Sequence, residues 1–420
     1  MKYKKYDLES YQIYTIETDK FKNCSIEIKF CEDIRNVNLS LRFMLNQLLK
    51  YSSLKYPTKR EVTIALEELY NASFAGNVSR GGYNHFSNFS IDFLHPRYVK
   101  EKEYLDQILA FLFQAILKPN IKDGSFDEQA IQVLKERAHV LLDQYKEKPL
   151  SFARKESCKN LFKESISGQD LYGTHEQLEN MTNEELVLEY QKMFQNSRCD
   201  ILIIGNLNMD EVVEKIKKLF YKPSIVLDEI PAFVENPIFP FHEEIKKSTY
   251  NQTQLLEYYQ ASNLTDFEKN YVAPLFTRIF GNANMTDKLT RYLRVENSLC
   301  YYCGSLMRTS DSYLLVYVGL NKKDVKKGIE LIRKAFKEMT KKEIDEDYFA
   351  SQKEKYLADL KIRDDDMYGL IDTYYFHEII GLAMNEDYLE NIPKVTLQDI
   401  QKFAKKFELT YRYILEEGDL

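Results

Sequence analysis

Leu41, Met44, Leu45 and Leu48 recur at i, i+3, i+4 and i+7 within residues 41–51, and that spacing predicts a helix with one face laid against a core. Two short apolar stretches rich in β-formers precede it, at 11–17 and 24–30, and read as strands. After a loop ending in Tyr56-Pro57, the pattern predicts a helix at 59–69 and a hairpin over 74–94, punctuated by Gly76, Gly81 and Gly82. It then turns helical at 104–117 and 126–146. Thr182, with Glu185 three residues on, reads as the cap of a further helix that runs to Phe194. A buried strand at 200–205 and an amphipathic helix at 209–221 complete this half.

Between Tyr221 and Phe241 the periodicity lapses. Pro223, Pro231, Pro237 and Pro240 discourage helix and strand alike, so an extended connection is expected. The domains are accordingly drawn at 1–221 and 248–420, with a linker at 222–247. The second half repeats the plan: a strand at 251–260, helices at 266–280 and 286–293, a strand pair at 299–307 and 313–320, long helices at 323–340 and 345–362, and a helical region through Gly381. A Thr396-capped helix to Phe407 and a strand at 411–415, ending at Gly418, finish it. Thr182 and Thr396 are 214 residues apart, and Gly205 and Gly418 are 213 apart, about half the chain in each case. Self-similarity at one offset predicts a duplicated domain. The expected class is α+β, with two tandem similar domains, each a mostly antiparallel sheet covered by helices.

Composition narrows the partners. A chain of 420 residues with 44% hydrophobic content suits two cores, and 58 basic against 65 acidic residues give a net charge of −7 with no basic block. Nucleic acid is therefore not an expected partner. No apolar leader precedes the first strand and no run approaches 18 apolar residues, so no membrane partner is expected. Six cysteines are too few for a disulfide framework, and a reducing cytoplasm is the expected setting.

Residues that could carry chemistry are few. No two of the six histidines lie within five residues of each other, which removes a helical two-histidine metal motif, and no phosphate loop, dinucleotide fingerprint or Gly-x-Ser-x-Gly is present. His175 beside Glu176 is too little for a site. Cys300 and Cys303 fall in the expected strand at 299–307, where i and i+3 face opposite sides, so packing is the reading. Glu136, His139 and Asp143 share one helix face but have no ligand from outside the helix, and a solvated polar stripe is preferred.

The order of landmarks resembles the pitrilysin or insulinase-like zinc peptidases, the inverzincins, whose first helix carries His-x-x-Glu-His. Those landmarks are the first helix, Tyr56-Pro57 and a second helix, the hairpin, Glu136-Arg137 on a long helix, Gly173-Thr174-His175-Glu176 and Ile204-Gly205-Asn206-Leu207. The resemblance implies a clamshell of two such domains. Aligned on Tyr56-Pro57, the zinc motif falls on Phe43, Asn46 and Gln47, and the third ligand falls on Asp143. Phenylalanine offers zinc no lone pair, a neutral amide is a poor ligand, and asparagine cannot take a proton from bound water. No catalytic residue in cis, no metal and no other cofactor is therefore expected.

In the second half, Arg294 and Tyr301 match the family segment whose arginine and tyrosine reach the substrate, although the family's Arg-Gly between them is Asn297-Ser298 here. Guanidinium and phenol suit the negative charge that grows on a peptide carbonyl under attack. The resemblance thus implies a non-catalytic subunit that pairs with a zinc-bearing homologue and supplies Arg294 and Tyr301 to a peptide substrate in trans. Its alternative is a peptide- or protein-binding scaffold of the kind found in Gram-positive bacteria, linked to the aminopentanol modification of elongation factor P without any part in hydrolysis.

Overall fold

The computed structural model describes residues 1–222, 229–341, 344–363 and 365–418, so Pro223 of the expected linker lies outside the described residues. Two compact units emerge, and neither is contiguous: the first comprises residues 1–143, 170–231 and 367–375, the second 144–169, 232–366 and 376–420. A contiguous division at the proline-rich stretch cannot express the placement of 144–169 with the second unit and 367–375 with the first.

The first unit is built on β1 (Lys2–Leu8), β2 (Tyr11–Glu17), β3 (Asn23–Asp33), β4 (Ser73–Gly81), β5 (Asn84–Leu94) and β6 (Arg198–Gly205), in the order β1-β2-β6-β3-β5-β4. Only β2 and β6 run parallel. The central β3 alternates: Cys24, Ile26, Ile28 and Phe30 enter the core with Leu41, Met44, Leu45 and Leu48 of helix α1 (Leu39–Tyr51), while Ser25, Glu27 and Lys29 face the other way. Helix α2 (Glu128–Gln144) and the short α3 (His175–Asn180) belong to the same unit.

The second unit holds β7 (His242–Lys247), β8 (Thr253–Gln260), β9 (Cys303–Arg308), β10 (Tyr313–Leu320) and β11 (Glu408–Glu416), in the order β9-β10-β8-β11-β7. Reading β2, β6, β3, β5, β4 against β7, β11, β8, β10, β9 gives one topology twice, including the single parallel pair, now β7 with β11. Duplication extends to the helices. Glu346–Arg363 and Met367–Ile380 begin 218 residues after their counterparts Glu128–Gln144 and Pro149–Leu161. Thr182 and Thr396 close equivalent capping boxes, with Glu185 and Asp399 reaching back. The expected α+β class with two similar halves is borne out.

β8 is buried along its whole length because both its faces are covered. Leu255 and Tyr259 enter the unit's main core, whereas Leu256 and Tyr258 pack with Tyr411 and Tyr413 beneath Ala153, Leu161 and Phe162 of the 144–169 stretch. In the first unit, Tyr375 plays the matching part, with its ring edge-on to Tyr14 and Phe86 and its hydroxyl donating to Asp200 at 3.0 Å. Among the elements not expected are β1, β7, α3 and the Pro149–Leu161 helix. β7 is formed by the last six residues of the expected linker, His-Glu-Glu-Ile-Lys-Lys, an edge strand whose charges leave no apolar alternation to read.

Candidate functional site

Asn38 caps α1, accepting from the Leu41 amide at 3.2 Å, and the helix is buried on more than the expected face. Phe43, which the resemblance aligns with the first zinc histidine, is 3% exposed and stacks on Tyr172 at 4.5 Å between centroids. Asn46, which it aligns with the catalytic glutamate, is fully buried; its Nδ2 donates to the Arg42 carbonyl at 3.1 Å, and its Oδ1 has no partner. Gly76 of β4 makes this closeness possible, because a Cβ there would meet the Asn46 carbonyl oxygen at 3.2 Å. Gln47, half-buried, accepts from Lys50 Nζ at 2.9 Å. Burial, together with the nearby charges of Lys59 and Arg137, holds the Lys50 amine below its ordinary range.

Asp143 turns to His175, which lies 3.0 Å away through Nε2, and Glu136 instead accepts from Gln132 at 3.4 Å, so the helix-face trio read from the sequence is split. Among the described residues, no three His, Cys, Asp or Glu side chains stand together as a ready-made metal site. A cavity of about 430 Å³ in this unit is lined by other residues, among them Lys55, Tyr56, Tyr70 and Glu101.

Sequence reasoning missed the polar cluster under α1. Arg42, 1% exposed, donates through Nε to Glu189 at 2.8 Å and through Nη2 to Glu32 at 2.9 Å, and Ser197 Oγ donates to Glu32 at 2.9 Å. Beside them His85 is wholly buried with neither ring nitrogen partnered. Its burial, then the Arg42 charge, push its pKa down to about 3. A charged residue between Leu41 and Phe43, on the apolar stretch of α1, was the available signal.

In the second unit Arg294 sits in a π-helical turn, Arg291–Val295, a form frequent at functional sites. The structure brings it to Tyr301: the guanidinium carbon lies 5.2 Å from the centroid of a ring that is 80% exposed. The turn between them survives the loss of glycine. Ser298 adopts φ +52°, the left-handed conformation that glycine takes without strain, and the Leu299 amide donates to the Leu293 carbonyl at 2.8 Å. Asn297 Nδ2 donates to the Tyr292 carbonyl at 2.8 Å and ties the turn to its helix. Cys303 opens β9 while Cys300 precedes it, so the strand-face argument for keeping them apart does not apply. The two thiols are hydrogen-bonded, which draws Cys303 below its ordinary range and raises Cys300.

These features align with proteins already known. Residues 180–356 match the model described as Peptidase M16 inactive domain. Over 415 residues the chain is 24% identical to the probable inactive metalloprotease YmfF of Bacillus subtilis (strain 168), covering 96% of this chain and 95% of that protein. A conserved protein from Enterococcus faecalis V583 superposes with a TM-score of 0.90 at 24% identity, with 99% of each chain covered. A peptidase M16 inactive domain from Pseudomonas fluorescens does so at 0.80 and 13% identity, over 100% of this chain and 98% of that one.

In fold throughout, and in sequence over residues 180–356, the chain is similar to M16-like peptidase domains described as inactive, which agrees with the resemblance to the pitrilysin and insulinase-like family. Among the described residues no helix is long and apolar enough to cross a membrane.

Proposed function

We propose that this chain is the non-catalytic subunit of a two-chain zinc peptidase. It pairs with a homologue that retains His-x-x-Glu-His and presents Arg294 and Tyr301 to the peptide. The observation that carries this reading is the contrast between two places in the molecule. The position of the zinc motif is filled by a stacked phenylalanine and a buried amide, while Arg294 and Tyr301 remain paired at an exposed surface. Guanidinium and phenol are donors suited to a developing oxyanion, and such donors are worth orders of magnitude in rate.

Co-purification of this chain with its zinc-bearing homologue, followed by peptide cleavage assays, tests the proposal. Arg294→Ala and Tyr301→Phe are each expected to lower kcat/KM by roughly 10²-fold, with the complex intact. Full activity in both variants refutes the donor role, and absence of association leaves the scaffold linked to elongation factor P modification.

A further inference from the structure

α2 and α3 each carry a histidine followed four residues later by a carboxylate: His139 and Asp143 on one, His175 and Glu179 on the other. The two pairs cross. His175 Nε2 is hydrogen-bonded to Asp143 Oδ1 at 3.0 Å, and His139 Nε2 lies 2.8 Å from Glu179 Oε1, although these two are not aligned as a hydrogen bond. Each carboxylate thus addresses the far nitrogen of the opposite ring, and the near nitrogens meet: His139 Nδ1 and His175 Nδ1 are 2.6 Å apart, with ring planes within 2° of each other.

A carboxylate at Nε2 keeps the proton on that nitrogen and leaves Nδ1 as a lone pair, the arrangement by which metal-ligating histidines are oriented and made more basic. Two lone pairs at this distance repel unless a shared proton or a metal ion lies between them, and the test below separates the two. We propose that His139 and His175 are the protein ligands of a surface site for one borderline divalent ion of the zinc, nickel or copper class, which imidazole nitrogen suits. Water completes the coordination, and Asp143 and Glu179 act as orienting carboxylates.

Two nitrogens at zinc distance in a tetrahedral shell are about 3.3 Å apart, so on binding the rings separate by roughly 0.7 Å and each tilts to turn its Nδ1 lone pair from the other ring toward the ion. His175, with 47% of its side chain exposed and at the first position of a six-residue helix, has room to do so. The external ligand that the sequence denied to His139 and Asp143 is His175, 36 residues away. The site uses none of Phe43, Asn46 or Gln47, and the inference does not rest on the pairing proposed above.

The test is a calorimetric titration of the chelator-treated full chain, without any partner, with ZnCl₂ and separately with NiCl₂. One equivalent is expected to bind, with the imidazole ¹⁵Nδ1 resonances of both histidines moving to coordinated positions. His139→Ala and His175→Ala are each expected to abolish that equivalent, while Asp143→Asn and Glu179→Gln weaken it by 10- to 100-fold. His175→Gln, which keeps a polar side chain at an exposed position, guards against a loss that reflects misfolding, and circular dichroism reports on each variant. Failure to bind one equivalent, binding that persists in the double alanine variant, or Nδ1 resonances that respond to pH and not to metal would each overturn the proposal.

Discussion

Replacing Arg42 with methionine removes one guanidinium and strands two carboxylates. Glu32 and Glu189 have side chains only 9% and 5% exposed, and Arg42 is their cationic partner, at 2.9 and 2.8 Å. Removing one member of a buried ion pair costs about 3–5 kcal/mol, chiefly because the other charge stays buried and uncompensated. Glu32 retains the Ser197 hydroxyl, which places the expected loss near the middle of that range, about 4 kcal/mol. Because two compact units need not unfold together, the loss is read locally, by hydrogen exchange of the amides of α1. Those that exchange through opening of the first unit should do so roughly 10³-fold faster, since each 1.4 kcal/mol is a factor of ten. A companion variant, Arg42→Met with Glu32→Leu and Glu189→Leu, exchanges the whole triad for apolar residues and should recover most of the protection, as buried ion networks often can be replaced without loss. An Arg42→Met chain with unaltered exchange, or a triple variant no better than the single one, would refute the assignment of this triad as the support of α1.

Ser298→Gly should raise stability by about 1 kcal/mol, since it relieves a left-handed serine, and should leave the Arg294 and Tyr301 donors working; a thermal melt and the cleavage assay check both. His85 in the first unit and Asp287 in the second should contribute to the acid response in opposite senses. His85 has a folded pKa of about 3, so its contribution is present above the unfolded value near 6.5 and is lost as pH falls toward 3. Asp287 is raised to about 6, first of all by burial, so its folded form binds a proton more tightly than the unfolded chain and the second unit gains stability as pH falls from 6 toward 4. Exchange rates resolved by unit across pH 4–7 check this: relative to the unaltered chain, His85→Leu should lessen the first unit's loss of protection toward acid, and Asp287→Asn should lessen the second unit's gain. Thr182→Ala and Thr396→Ala should each cost about 1 kcal/mol, measured by denaturant midpoint, because each removes a side-chain acceptor from an equivalent capping box.

The repeated plan was legible in the sequence because its markers are local. A threonine cap with an acid three residues on declares a helix start whatever surrounds it, and the alternation of Ile26, Ile28 and Phe30 declares a strand. What escaped was whatever depends on distant neighbours. β1 reads Lys-Tyr-Lys-Lys-Tyr-Asp-Leu, which breaks alternation at Lys4-Lys5, and β7 is nearly all charge, so neither carries a sustained apolar period, and each is a strand only because a partner supplies hydrogen bonds. The Pro149–Leu161 helix looks weakly amphipathic until the aromatic face of β8 and β11 is set beneath it. At the candidate site, Phe43, Asn46, Gln47, Arg294 and Tyr301 were singled out by the family resemblance and not by periodicity or composition. The crossing of His139 and Asp143 with His175 and Glu179 could not be read from the sequence, because the two helices are joined by a stretch whose course only the folded chain reveals.

The exchange of segments between halves sets a timetable for synthesis. A ribosome that has released the first 231 residues has made both sheet edges and α1 of the first unit, but not Tyr375, whose ring and hydroxyl cover Tyr14, Phe86 and Asp200. The helix at Pro149–Leu161, by contrast, emerges well before the strands it will cover, β8 at Thr253–Gln260 and β11 at Glu408–Glu416. The nascent chain must therefore hold one sheet open and one helix idle until nearly its whole length is available. Duplication of the domain did not yield two independent folding units, and cutting the chain at its proline-rich middle would leave each part without the helical segment that its own sheet requires.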